Sequence, residues 1–202
     1  MPRKNREWYE GACYHVMARG NRKTALFQAE DDFRIFLNLI KNVKEKHPFL
    51  LHAFCLMTNH FHLELTTLSD PIWVIMKPIM QNYAIWFNNR YDFEGHVFDS
   101  RYTSCLIKDD VYFLEVSRYI HLNPVKAAIV KTPIDYAYSS YKYYAFTEPK
   151  TGIKFLDTEQ VLNLVPGQSR EHYRIFVEEQ ISHSDNETLI QRDIKEDDMW
   201  LP

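Results

Sequence analysis

Short β-like runs alternate with longer amphipathic runs along most of this chain, and that alternation limits its possible folds more than any other feature. Residues 12–18 (ACYHVMA) read as a strand with Tyr14 and Val16 on one side, followed by a polar turn around Gly20. Residues 30–47 read as a helix: Phe33, Phe36, Leu37, Ile40 and Val43 make one apolar stripe, acidic residues open it and lysines close it. Pro48 ends it. Two strands follow at 49–57 and 60–66, with Thr58-Asn59 as the turn between them. A helix over 70–91, a strand over 96–107 and a helix over 109–122 complete the series. The order β-α-β-β-α-β plus a helix predicts an α+β, ferredoxin-like split βαβ fold. Its four-stranded antiparallel sheet is expected to be covered by helices on one face. Residues 1–130 are expected to form the main unit. Residues 131–202 are expected to form a small helical extension, with short helices at 157–164 and 169–181 and an acidic tail. The Tyr- and Ser-rich stretch 136–144 reads as a packed surface segment.

The whole chain carries a formal net charge of -3 over 202 residues, which at face value argues against gripping a polyanion. The distribution reverses that inference. Residues 1–150 hold 19 Lys and Arg against 16 Asp and Glu, whereas residues 151–202 hold 5 against 11. The acidity belongs to the tail. Three widely spaced cysteines with no C-x-x-C pair indicate neither a zinc ribbon nor a disulfide framework, and reduced thiols in a cytoplasmic protein are expected. No secretory h-region follows the basic N-terminus. The longest apolar stretch, around 72–87, is broken by Lys77, Pro78, Gln81 and Asn82, so no membrane span is expected. With 5 glycines and no Walker or G-x-G-x-x-G pattern, a nucleotide-phosphate loop is absent.

Two stretches carry residues capable of chemistry. In Met57-Thr58-Asn59-His60-Phe61-His62-Leu63-Glu64-Leu65, strand periodicity puts His60, His62 and Glu64 on one face and Phe61, Leu63 and Leu65 on the other. Two imidazoles at i and i+2 can hold one metal ion, although spacing alone favours ordinary polar residues on an open sheet face. In Ser117-Arg118-Tyr119-Ile120-His121-Leu122-Asn123-Pro124-Val125-Lys126, Tyr119 and Asn123 share a helix face. A tyrosine can serve as a covalent nucleophile and an amide oxygen can complete a metal site. With 13 tyrosines in the chain, the residues alone do not single out Tyr119 over Tyr112, Tyr102 or Tyr83. Asn123 before Pro124 also reads as an N-cap opening a new helix.

These blocks together resemble the HUH single-tyrosine transposase family, and within it proteins related to the REP-associated tyrosine transposases. Further matching segments are Tyr14-His15-Val16 leading to Arg19-Gly20-Asn21, Phe98 with Arg101-Tyr102, Tyr136 to Ser140, and Arg174 to Glu179. The likeness spans roughly residues 1–180. Asp99 stands where many relatives carry Gln, and Tyr138 where they usually carry Trp.

The resemblance implies roles residue by residue. His60 and His62 would be metal ligands, Asn123 a third polar ligand and Tyr119 the nucleophile, with Glu64 the alternative third ligand. The metal would be Mg²⁺ or Mn²⁺, though the ligand set admits Zn²⁺. The implied activity is a single-stranded DNA endonuclease and strand transferase acting beside a hairpin through a 5′-phosphotyrosine, as a monomer or homodimer. The cations expected to contact nucleic acid are Arg3, Lys4, Arg6, Arg19, Arg22, Lys23, Arg101, Arg118 and Lys126. Two other readings stay open: a hairpin DNA- or RNA-binding protein that does not cut, and a metal-dependent phosphoesterase using His60, His62 and Glu64.

Overall fold

The split βαβ pattern is realised in four strands and three long helices. A computed structural model describes residues 7–146 and 155–183. The strands are β1 (Cys13–Arg19), β2 (Phe49–Met57), β3 (His60–Thr67) and β4 (Thr103–Ile107). The long helices are α1 (Glu30–Lys46), α2 (Ile72–Tyr91) and α3 (Asp110–Lys126). The sheet order is β2-β3-β1-β4 with every pairing antiparallel. β1 and β2 therefore run the same way on either side of β3, joined by α1, as the ferredoxin-like reading requires.

The period-2 alternation of the strands builds one apolar layer. Tyr14, Val16, Phe54, Leu56, Phe61, Leu63 and Leu65 pack against Phe33, Phe36 and Ile40 of α1 and against Ile75, Ile79, Tyr83 and Phe87 of α2. The Asp32 carboxylate is buried at the start of α1, where it accepts from the Gln28 and Ala29 amides at 2.6 and 2.9 Å. It also accepts from the Tyr91 hydroxyl at the end of α2, so one carboxylate caps α1 and ties the two helices together. Tyr138 stacks face to face on Phe33, ring centroids 3.5 Å apart.

The second face of the sheet is covered too, which corrects the one-sided expectation. A register shift in β2 between Leu51 and Ala53 turns Ala53, Cys55 and Met57 toward α3. There they join Phe113, Val116, Ile120 and Leu122 of α3 and residues of the C-terminal segments. Those segments form α4 (Lys142–Ala145), α5 (Glu159–Leu164) and α6 (Arg170–Glu178), which contribute Tyr144, Val161, Tyr173 and Val177. Ser139, Ser140, Tyr141 and Tyr144 are buried, so the Tyr- and Ser-rich stretch is core rather than surface. The hydroxyls of Tyr136, Ser139, Ser140, Tyr141 and Tyr144 find internal partners, which lets this polar stretch enter the core. Tyr144 donates to the His52 carbonyl, and Ser140 Oγ accepts from the Phe54 amide at 2.9 Å.

Two boundaries differ most. β4 starts at Thr103 rather than 96 because residues 92–102 first turn the chain through left-handed Asp92 and Gly95. They then dock by a Gly20–Phe98 bridge. Asn123 is not an N-cap: α3 runs on through Pro124 to Lys126. Proline is tolerated there because it lies in the last turn, where one lost amide donor breaks little of the helix.

Gly20 has an ordinary φ of -62°, yet a Cβ on it would meet the Thr24 carbonyl oxygen at 2.2 Å. Gly20→Ala is expected to displace the 21–24 turn and cost about 1–3 kcal/mol of stability. A denaturant titration checks this, and an unchanged midpoint would mean that the turn yields freely.

Candidate active site

The register that buries Phe61 and Leu63 turns His60, His62 and Glu64 toward α3. Across β1 they lie opposite Arg19, Met17 and His15 respectively. On α3, residues four apart share a face, which brings Tyr119 and Asn123 over the same end of β3. His60 Nε2 lies 3.4 Å from Asn123 Oδ1, and the His60 and His62 rings are perpendicular at 5.0 Å. The Tyr119 ring meets His62 edge-on at 5.6 Å and His15 at 5.7 Å. Thus the four residues picked from two distant stretches, His60, His62, Tyr119 and Asn123, converge.

Burial sets the protonation of the histidines. It lowers the His60 pKa, and lowers that of His62 well below the usual value with repulsion from His60 and His15 adding to it. Burial takes His15 to about 4. All three rings are therefore neutral near pH 7, the form in which imidazole binds a metal. His60 Nδ1 sits 2.7 Å from the Asn59 side-chain oxygen, so its proton belongs on Nδ1. Its Nε2 lone pair then faces another acceptor, Asn123 Oδ1. Two acceptors opposed in a half-buried place are the donor set a cation satisfies, so these residues fit a divalent ion. Glu64, one step further along β3, is completely buried. Burial pushes its carboxyl well above the usual range, and both oxygens lack a hydrogen-bond partner among the described residues.

Burial raises the Tyr119 pKa, and a hydrogen bond from Asn123 acts against that rise. The Lys126 ammonium lies over the Tyr119 ring, 4.9 Å from its centre. The remaining cations divide. Gly20 N donates to the Asn59 carbonyl and Leu26 N to that of Thr58, so the turn carrying exposed Arg22 and Lys23 sits beside the β2–β3 turn at the His60 end. Arg19 pairs with Asp99 at 3.2 Å. Arg101 is exposed just before β4. Arg118 faces away from the histidines: it pairs with Glu115 and lies over the Phe176 ring at 4.2 Å. Arg3, Lys4, Arg6 and the acidic tail beyond residue 183 lie outside the described residues.

Two further histidines, His121 and His15, make contacts that bear on the site. His121 is buried, with Nδ1 2.6 Å from the Tyr173 hydroxyl and Nε2 2.6 Å from Ser140 Oγ, and Tyr173 donates on to Ser117. This network fastens the tyrosine helix to α6. It could not be seen because its members lie far apart in sequence. His15 contacts His62, and period-2 counting from Tyr14 and Val16 already assigns it to the face opposite them.

The profile of the family described as "Transposase IS200 like" matches residues 9–123. Among solved structures, the chain is similar to a REP-associated tyrosine transposase bound to a REP hairpin, with a TM-score of 0.62 and 18% identity. That match covers 78% of this chain and 98% of the other, and it shows a shared fold. A weaker likeness is to a candidate transposase of Deinococcus radiodurans (TM-score 0.41, 12% identity, 59% of this chain and 95% of the other). Curated proteins give no match. The profile spans His15, His60, His62, Tyr119 and Asn123 and more than half of the sequence: the chain belongs to the IS200-like transposase family.

Proposed function

We propose that this transposase is a metal-dependent single-stranded DNA endonuclease and strand transferase that uses Tyr119 as its nucleophile. The observation that carries the reading is the meeting of Tyr119 with two neutral histidines and an opposed amide oxygen. His60, His62 and Asn123 would hold Mg²⁺ or Mn²⁺, whose charge would offset that building up on the scissile phosphate. Tyr119 Oη attacks phosphorus, the bond from phosphorus to the 3′-oxygen breaks, and the proton that Tyr119 gives up to solvent is balanced by one taken up by the departing 3′-oxygen. The products are a 5′-phosphotyrosine and a free 3′-OH. The phosphodiester bond is conserved, so a second 3′-OH can reverse the step on another strand without ATP. Asn123 orients the Tyr119 oxygen.

The substrate would be single-stranded DNA beside a hairpin; the similar solved structure is described as bound to a REP hairpin. Arg19, Arg22, Lys23 and Arg101 would follow its backbone, with Arg3, Lys4 and Arg6 as sequence-level additions. Arg118 would act instead by holding α3 to α6. Glu64 is too deeply buried to activate a substrate water, which disfavours the phosphoesterase reading. No helix among the described residues is long and apolar enough to cross a membrane. The setting proposed for the reaction is the cytoplasm, where the three free thiols stay reduced. Either a monomer or a homodimer suits this chemistry.

The test is an SDS-resistant protein–DNA adduct on labelled hairpin oligonucleotides with single-stranded flanks. Adduct should form with Mn²⁺ or Mg²⁺ and disappear in EDTA. Adduct that persists in EDTA would remove the metal from the reaction. Tight binding without nicking would favour the non-cutting alternative.

A further inference from the structure

His15 is fully buried on β1, yet it is an imidazole where any apolar ring would pack. Its Nε2 lies 3.0 Å from His62 Nδ1, and the two rings stack at 5.2 Å with 25° between their planes. Among the described residues this is the ring's hydrogen bond: its other nitrogen, Nδ1, has no partner. A buried imidazole held by a single polar contact to a candidate metal ligand calls for a reason beyond packing.

The geometry supplies one. The His15 contact occupies His62 Nδ1, so a cation can approach His62 at Nε2 alone. Nε2 is a ligand only as a lone pair, which requires the His62 proton to sit on Nδ1. A proton there must be donated, and His15 Nε2 is the acceptor in line with it. His15 then carries its own proton on Nδ1, on the strand position paired with Glu64, whose carboxyl oxygens are equally unpartnered. The same logic operates at His60 with a different device, the Asn59 side-chain oxygen accepting from Nδ1. Each histidine of the pair is thus oriented by a partner on its far nitrogen. One partner comes from the β2–β3 turn and one from the neighbouring strand.

We infer that His15 is a positioning residue that holds His62 in the Nδ1–H tautomer and so presents Nε2 for metal binding. This rests on the reading of His60, His62 and Asn123 as a metal-holding set. It adds to that set a β1 residue that touches neither substrate nor metal. An outer partner of this kind contributes ~10–100-fold in metal affinity.

The test uses the full chain and reads tautomer and metal separately from DNA cleavage. Long-range ¹H–¹⁵N spectra of the metal-free protein should show His62 as the neutral Nδ1–H form. His15→Phe, which keeps the volume and removes the acceptor, should shift His62 to Nε2–H and weaken Mn²⁺ binding by ~10–100-fold in calorimetry. His15→Gln, whose amide oxygen reaches the place of Nε2, should recover most of that affinity. Wild-type His62 found as Nε2–H, or His15→Phe binding Mn²⁺ as tightly as wild type, would overturn the inference. If His15→Phe fails to fold, the wild-type tautomer decides the question by itself. A wild-type protein that binds Mn²⁺ with His62 in the Nδ1–H form but cuts no DNA would sink the proposed reaction and leave this inference standing.

Discussion

Tyr119→Phe is expected to abolish the covalent adduct, lowering strand cleavage on the order of 10⁴-fold or more, while stability changes by about 1 kcal/mol or less. The substitution removes one half-buried hydroxyl and leaves the ring in its place against His62 and His15. Hairpin binding should persist, since the cations beside the β2–β3 turn are untouched. The tyrosines that sequence alone could not separate from Tyr119 are now distinguishable. Tyr83 is completely buried and spends its hydroxyl on the Leu26 carbonyl. Tyr102 is buried in the first apolar layer. Tyr112 sits in the first turn of α3, its amide held by the Asp109 cap. Denaturing gels after reaction with labelled hairpin DNA give the measurement. Adduct surviving in Tyr119→Phe would reject Tyr119 as nucleophile.

The second large effect is acid unfolding of the metal-free protein. Burial lowers the pKa of His15 and His52 to about 4 and of His121 to about 3, and lowers His62 well below its usual value. Unfolded, these imidazoles titrate near ~6.5. Between those limits the unfolded chain binds protons that the native state refuses. The stability they confer is whole above ~6.5 and is lost as the pH falls toward 4. Glu64 acts with the opposite sign. Its raised pKa means that the native state keeps a proton the unfolded carboxyl sheds above ~4.5, so it offsets one of the four. A net uptake of about three protons corresponds to a loss of about 4 kcal/mol per pH unit. From ~6.5 down to about 4 that removes up to about 10 kcal/mol, so a chain with ~5–10 kcal/mol of stability should unfold between about pH 4 and 5.5. Urea titrations in EDTA at pH 7, 6 and 5 measure the slope. A flat profile would show that these histidines are solvated in the native state.

The elements of the sheet were legible because alternation and helical stripes are local signals. The boundaries of β2, the start of β3 and the start of α1 agree with the structure to the residue. Misread elements share one cause, a partner distant in sequence. Residues 96–102 have strand composition but pair only through the Gly20–Phe98 bridge, so the ladder begins later. Residues 136–144 look polar until His52, Phe54 and His121 absorb their hydroxyls. Asn123-Pro124 carries a capping signal in isolation, yet α3 packed against β2 and β3 continues past it.

By itself the sequence determined which side chains share a face: His60 with His62 and Glu64 by the strand's period of two, and Tyr119 with Asn123 by the helix's near-four. It also determined that the acidity lies in the tail and leaves residues 1–150 mildly basic. Only the tertiary structure decided that the two faces meet, since sheet order and the packing of α3 bring Asn123 to 3.4 Å from His60. It likewise decided that His15 stands behind His62, because strands far apart in sequence become neighbours only through pairing. Periodicity orients a side chain about its own axis. The distance between two axes is set by the packed core between them.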